Sequence, residues 1–248
     1  MELEQSYLKG RRLRVIGGPN GSGKSTIIKE IQKNYDVGVY VNADVIEKKL
    51  KTSGHISLTE SGIDKISNEE FKKFVKKHSL TQKAANAGFP IDLKFEQGKV
   101  FHSSKSEYGY EAALLADYLR HVLLSEGKKL TFETVMSHKS KIEILQRANK
   151  IGYKTYLYFI STKDPLINIE RVNLRVKEGG HSVPKDKIEK RYYESLKLLK
   201  EAAKNTYRTF IWDNSGKQPE LILEIYKGSD ITYLSKTIPY WVQKYLLD

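Results

Sequence analysis

Gly18-Pro19-Asn20-Gly21-Ser22-Gly23-Lys24-Ser25 fits G-x-x-x-x-G-K-[ST], the pattern of a phosphate-cradling P-loop. The residue types explain the spacing. Glycines let the backbone curl until its N–H groups point inward at a polyphosphate, with no Cβ in the way. Lys24 is placed to reach the β- and γ-phosphates of ATP, and the Ser25 hydroxyl to ligate Mg²⁺. Gly18 through Thr26 are therefore the expected ATP-binding residues, and the helix that starts there adds the partial positive charge of its N-terminus.

Phosphoryl transfer also needs charge cancelled on the moving group, an activated acceptor oxygen and exclusion of water. Arg171 and Arg175, four apart on one helical face, are candidate cations, with Arg191 as a further nucleotide contact. Asp44 is the candidate base. It follows the strand-like run Val37-Gly38-Val39-Tyr40-Val41, at the kind of strand end where ligands collect in doubly wound sheets. Its alternative is an N-cap for a helix over 45–50. Asn42, Glu133 and Thr134 are read as holding the acceptor. Glu133 has a competing role in orienting Mg²⁺-bound water, because Leu130 to Glu133 is a weak Walker B match with Glu where Asp is usual.

The elements that must position these residues come in the required order. Leu13, Val15 and Ile16 predict a buried strand, and Ile27, Ile28 and Ile31 a helix over 26–34. Segment 51–108 reads as an inserted α+β piece. Ser67-Asn68-Glu69-Glu70 opens a helix there, and alternation about Gln97-Gly98 predicts a hairpin. A helix over 111–126 then carries Leu115, Leu119, Val122 and Leu123 inward, with Gly127 as its stop. Strand 130–132 follows, then a helix over 140–150 with a Ser140/Glu143 capping box, then strand 153–160. Asp164-Pro165 starts a helix with Ile169, Val172 and Val176 as its buried stripe. After Gly179-Gly180, a long helix to about 205 has a seam of Ile188, Tyr192, Leu196, Leu199 and Ala203. Region 161–205 is read as a mobile lid, or alternatively as an ordinary helical hairpin. Asp213-Asn214-Ser215-Gly216, after strand 207–212, either flanks a nucleotide base or is a plain turn. The tail predicts an edge hairpin about Gly228 and a short helix after Pro239. The expected fold is α/β, a P-loop kinase-type doubly wound and mainly parallel sheet, as one domain over 1–248.

A chain of 248 residues buries a substantial core. Forty-three basic residues against thirty acidic give +13. That excess favours anionic partners, nucleotides, sugar nucleotides or nucleic acid, or else reflects a lysine-rich surface. With no cysteine, disulfides, thiolate zinc sites and Cys nucleophiles are excluded. The start Met1-Glu2-Leu3-Glu4-Gln5 lacks a signal-peptide pattern and no apolar run reaches membrane-spanning length, so a cytoplasmic, membrane-free protein is expected. H-E-x-x-H and G-x-S-x-G are absent, which leaves zinc-protease and α/β-hydrolase chemistry without their motifs.

The P-loop, Asn42-x-Asp44, Glu133-Thr134, Ile169-Glu170-Arg171, Gly179-Gly180-His181-x-x-Pro184 and Asp213-Asn214-Ser215 together resemble the zeta toxin family of P-loop kinases, especially its zeta-like ATPase branch. The resemblance covers most of the chain outside 51–108 and the tail. It implies transfer of the ATP γ-phosphate to a hydroxyl of a small molecule, which for the toxins is UDP-N-acetylglucosamine. It places Lys24 on the phosphates, Asp44 as base, Glu133 in the acceptor site and Arg171 in the lid, and it brings a cognate antitoxin into view. Nucleic acid is the less favoured substrate, and a non-catalytic nucleotide switch a third reading. This chain departs from the toxin pattern at His181, where a second lid arginine is usual, and at Glu47-Lys48-Lys49-Leu50, where a His-Pro segment often stands.

Overall fold

The computed structural model describes residues 10–63, 66–102, 108–180 and 182–248; His181 lies outside them. In chain order the elements are β1 (Arg12–Gly17), α1 (Lys24–Asn34), β2 (Val39–Val41), α2 (Ala43–Ser53), β3 (His55–Ser57), α3 (Asn68–Lys77), α4 (Ser79–Asn86), β4 (Leu93–Glu96), β5 (Lys99–His102) and α5 (Tyr108–Ser125). Then follow β6 (Leu130–Thr134), α6 (Ser140–Lys150), β7 (Lys154–Ser161), α7 (Pro165–Lys177), α8 (Lys185–Lys204), β8 (Arg208–Asp213), β9 (Glu220–Tyr226), β10 (Asp230–Tyr233) and α9 (Tyr240–Val242), which runs into a π-helical turn, Gln243–Leu247. The chain divides into two compact units. One comprises the residues up to Val37 with Thr131–Asp248; the other is Gly38–Leu130.

In the first unit the strand order is β10-β9-β8-β7-β1-β6. β7 is parallel to both β1 and β8, while β9 and β10 are antiparallel additions at one side. The fold class is thus α/β with a mixed, mostly parallel sheet. β7 shows why these residues make a strand. Thr155, Leu157 and Phe159 are fully buried, whereas the intervening Tyr156 and Tyr158 are half-buried, the period-2 pattern of a sheet with one face in the core. α8 packs on β7. Its seam of Ile188, Tyr192, Leu196, Leu199 and Ala203 is buried, as its spacing predicted, and the Tyr192 hydroxyl donates to the Thr162 carbonyl at 2.6 Å. Asp164 caps α7 by accepting from the Leu166 N–H at 2.8 Å, with Pro165 at the first position. Ile169 and Val172 meet Ile188 and Val183 of the following segment. Val176 is 36% exposed, so the buried stripe of α7 stops one turn short of the sequence expectation. The capping box at Ser140 is also corrected. Ser140 is already helical, its N–H donates to His138 Nδ1 at 3.2 Å, and the cap position is Lys139, which makes no side-chain cap bond.

In the second unit β3, β5 and β4 form an antiparallel sheet in that order. Gln97 and Gly98, at φ 47° and 76°, turn the β4–β5 hairpin in the doubly left-handed geometry such two-residue loops favour. Ser67 Oγ accepts from the Glu70 N–H at 3.3 Å and caps α3. Phe71, 1% exposed, meets Tyr118 of α5 edge-on at 5.0 Å. Leu115, Leu119 and Leu123 of α5 are buried, Val122 half so. The buried Glu111 carboxylate accepts from the Asp92 N–H at 3.1 Å and pairs with His102; burial, the largest influence, pushes its acid up from the usual range. β3 and α4 had no counterpart in the sequence reading.

Candidate functional site

The loop 18–25 leaves β1 and enters α1, whose cap residue is Gly23 at φ 94° with no side-chain cap bond. The positive end of the α1 dipole therefore faces the loop without a capping side chain. Two asparagines hold the loop from outside. Asn168 of α7, fully buried, donates from Nδ2 to the Asn20 carbonyl at 2.6 Å, and the Thr162 hydroxyl donates to its Oδ1. Asn214 donates from Nδ2 to the Ser22 carbonyl at 2.9 Å, while its own N–H donates to the Ser161 carbonyl at 2.8 Å. These contacts explain two glycines more directly than ligand approach does. A Cβ on Gly21 would lie 2.4 Å from the Asn168 carbonyl oxygen, and one on Gly23 would lie 2.2 Å from Asn214 Nδ2. Their missing side chains make room for the walls that fasten the loop.

Lys24 Nζ donates to the Gly18 carbonyl at 2.8 Å and the Pro19 carbonyl at 2.7 Å, so the ammonium lies along the loop's own backbone. The Ser25 hydroxyl approaches Glu133 Oε2 at 3.5 Å. β6 thus delivers a carboxylate beside the hydroxyl that follows the lysine. Oxygen donors of this kind suit Mg²⁺, which keeps most of its waters and takes one or two protein oxygens. Among the described residues no cluster of three His, Asp or Glu side chains forms a separate metal cage. Thr134 Oγ1 accepts from the Met136 N–H at 3.1 Å, a turn-closing bond within its own segment.

The loop after β8 is a node. Asp213 accepts from the Ser215 N–H at 2.9 Å, the Ser215 hydroxyl at 3.0 Å and Trp241 Nε1 at 2.6 Å. Ser215 Oγ accepts from the Lys163 N–H at 2.7 Å. Arg171 donates to the Asn214 carbonyl at 2.8 Å and the Gly216 carbonyl at 3.4 Å. Of the two readings of this segment, the turn is what the bonds describe: an Asx-type turn tying the P-loop, Arg171 and the C-terminal helix together. Arg175 abuts Gly180, whose N–H donates to the Arg175 carbonyl at 2.8 Å. Arg191 is half-buried; burial pulls its guanidinium below the usual value, and Glu194 opposes that.

Asn42 and Asp44 belong to the second unit. The cap of α2 is Asn42, whose Oδ1 accepts from the N–H groups of Asp44 at 2.8 Å and Val45 at 3.4 Å; its Nδ2 donates to the Tyr40 hydroxyl at 3.1 Å. The reading of Asp44 as that cap is corrected, and Asp44 stands in the first turn of α2, where a carboxylate suits the helix dipole.

Among the described residues no helix is long and apolar enough to cross a membrane. No family model matches the chain. An uncharacterized protein of Haemophilus influenzae is 30% identical over 74 residues, which is 30% of this chain and 53% of that protein, so the chain spans about half the length of this curated relative. Among the solved structures similar over nearly the whole chain are three from two systems. One is from the PezAT chromosomal toxin–antitoxin system of Streptococcus pneumoniae, with a TM-score of 0.53 at 15% identity, covering 96% of this chain and 78% of that one. The second is AvrRxo1-ORF1:AvrRxo1-ORF2 with sulphate ions, with a TM-score of 0.56 at 14% identity, covering 94% and 67%. The third, AvrRxo1-ORF1:-ORF2 with ATP, has a TM-score of 0.53 at 14% identity, covering 93% of this chain and 64% of that one, less than two thirds of its length. What these likenesses show is the fold, which this chain shares with the PezAT and AvrRxo1-ORF1:AvrRxo1-ORF2 structures.

Proposed function

We propose that the protein is an ATP-dependent P-loop phosphotransferase acting on a hydroxyl of a small molecule, with a UDP-N-acetyl sugar as the first acceptor to try. The observation that carries the reading is the Ser25 hydroxyl beside the Glu133 carboxylate, directly after a lysine laid along the P-loop. In this reading the amides of 18–25 and the Lys24 ammonium bind the triphosphate, and Asn168 and Asn214 keep the loop in shape. Ser25, with Glu133 behind it, would hold Mg²⁺, which supplies charge neutralisation on the phosphate oxygens when bound. Arg171 and Arg175, on the 161–205 lid, would offset charge on the transferred group, with Arg191 on the nucleotide. Asp44 would take the proton of the acceptor hydroxyl as its oxygen bonds to phosphorus, with Asn42, Glu133 and Thr134 toward the acceptor. The AvrRxo1-ORF1:-ORF2 structure with ATP supports the nucleotide, and the PezAT likeness supports a cognate antitoxin as partner. A cytoplasmic location accords with ATP as the donor.

Incubation with γ-labelled ATP, Mg²⁺ and a panel of sugar nucleotides and other alcohols tests this. The expected result is label on an acceptor, lost in the Asp44→Asn variant while ATP affinity stays within about twofold. Label appearing only as inorganic phosphate, or undiminished transfer by Asp44→Asn, would overturn the phosphotransferase reading or the base assignment respectively.

A further inference from the structure

The strand register of the first unit places Arg14 opposite Tyr156, Tyr156 opposite Arg208, and Arg208 opposite Tyr226. One row across β1, β7, β8 and β9 thus alternates cation and aromatic ring. Alternation along each strand sends these side chains away from the face that buries Leu157, Ile211 and Ile225. Tyr207, just before β8, meets Tyr156 edge-on at 5.8 Å and Tyr226 edge-on at 5.2 Å, which closes the row into a cluster of three rings. Cations lie over those rings: Lys154 over Tyr207 at 5.0 Å, Lys227 over Tyr226 at 5.2 Å, Arg208 over Tyr226 and Arg14 over Tyr156 at 5.7 Å each. Lys154 and Lys227 are exposed, as is Arg12, which pairs with Lys154 in the register; the three tyrosines are half-exposed. Glu224 pairs with Arg208 at 2.8 Å and Arg14 is buried, so the exposed cations of the cluster are Arg12, Lys154 and Lys227. A hydrogen bond with Tyr226 does most to draw the Tyr207 phenol below its usual pKa; burial opposes it, and Lys154, Arg208 and Lys227 add to the lowering. The row crosses β1 at Arg14, about 13 Å before the P-loop begins at Gly18, and Arg12 at the amino end of the strand lies about 20 Å from that loop.

We propose that this cluster is a binding surface for single-stranded nucleic acid, separate from the P-loop, with phosphates on Arg12, Lys154 and Lys227 and bases against Tyr156, Tyr207 and Tyr226. Rings with cations beside them suit a strand whose bases are unstacked and whose backbone is anionic. A duplex offers no free base faces, and an acidic peptide would engage the lysines without needing the rings. The chain's net charge of +13 adds long-range attraction for either anion, so the rings decide between them.

Fluorescence anisotropy of a labelled twelve-nucleotide oligo(dT) or oligo(U), titrated with the full chain across a salt series, tests the proposal. Binding should weaken with salt, prefer single strands to a duplex of equal length, and survive Lys24→Ala. The exposed pair Lys154→Glu and Lys227→Glu should lose at least tenfold in affinity and flatten the log–log salt slope by about 1.4, two phosphate contacts at about 0.7 each. Tyr207→Ala should lose about tenfold and Tyr207→Phe little, since stacking uses the ring. ATP binding should be unchanged in all three. Absence of oligonucleotide binding, indifference to the charge reversals, or loss of binding in Lys24→Ala would overturn it. Equal competition by oligoglutamate, with Tyr207→Ala neutral, would assign the surface to an acidic protein instead.

Discussion

Replacing Asn168 should loosen the phosphate loop from a position that touches no ligand in the proposed chemistry. Its side chain is fully buried and makes the 2.6 Å bond to the Asn20 carbonyl while receiving the Thr162 hydroxyl. In Asn168→Ala the net hydrogen bond, about 1 kcal/mol, is lost, and an acceptor left unmet adds about 1–2 kcal/mol. A total of about 2–3 kcal/mol corresponds to a fall in Tm of about 5–10 °C for a chain of this size. If half of it is expressed as disorder of loop 18–25, ATP affinity drops about tenfold, since each 1.4 kcal/mol is a decade. Asn168→Asp is the sharper probe. It keeps the shape but sets an oxygen against the Asn20 carbonyl, and it adds a negative charge near the site proposed for phosphates, so its ATP affinity should fall below that of Asn168→Ala. Thermal melts and calorimetric titration with Mg²⁺–ATP read both quantities. Wild-type Tm and affinity in Asn168→Asp would refute the claim that this bond shapes the loop.

The Ser25–Glu133 contact predicts a metal-specific phenotype. Ser25→Ala should weaken ATP binding about tenfold in Mg²⁺ and leave affinity in EDTA unchanged; equal losses in both media would remove Ser25 from metal binding. Tyr153 is buried, and that burial pushes its phenol up to about 12 against the opposing effect of Arg11. The unfolded chain ionises this group near pH 10, so between pH 10 and 12 the folded state holds the extra proton and stability falls as pH rises. The loss should reach about 2–3 kcal/mol by pH 12 and be absent below pH 10. Tyr153→Phe should flatten that part of a denaturant-melt pH series, and an unchanged slope would contradict the assignment.

Much of this molecule was legible because its signals are local. The P-loop spacing with flanking apolar runs, the Ser67 cap, the Gln97-Gly98 turn and the seam of α8 each depend on residues a few places apart. The failures share the opposite property. α4 is capped by His78, whose imidazole nitrogen stands in place of the usual Ser, Thr, Asp or Asn, so no start signal was visible. Choosing Asn42 over Asp44 as the cap of α2 required the backbone geometry of one turn. The clamps on the loop join residues 148 and 192 positions apart, a distance no periodicity spans. One clue did exist for Asn168: a polar residue adjoining the buried Ile169–Val172 stripe of an otherwise well-formed helix calls for a buried partner.

Every role proposed for this chain in phosphoryl transfer depends on Lys24 and its loop binding a triphosphate. Calorimetric titration of the whole chain with ATP and Mg²⁺, repeated on Lys24→Ala with the fold checked by thermal melt, reaches that claim directly. Saturable binding by the native chain, weakened at least a hundredfold in a variant that melts normally, is the expected result. A folded Lys24→Ala that binds ATP as well as the native chain, or a native chain that binds none, would contradict it.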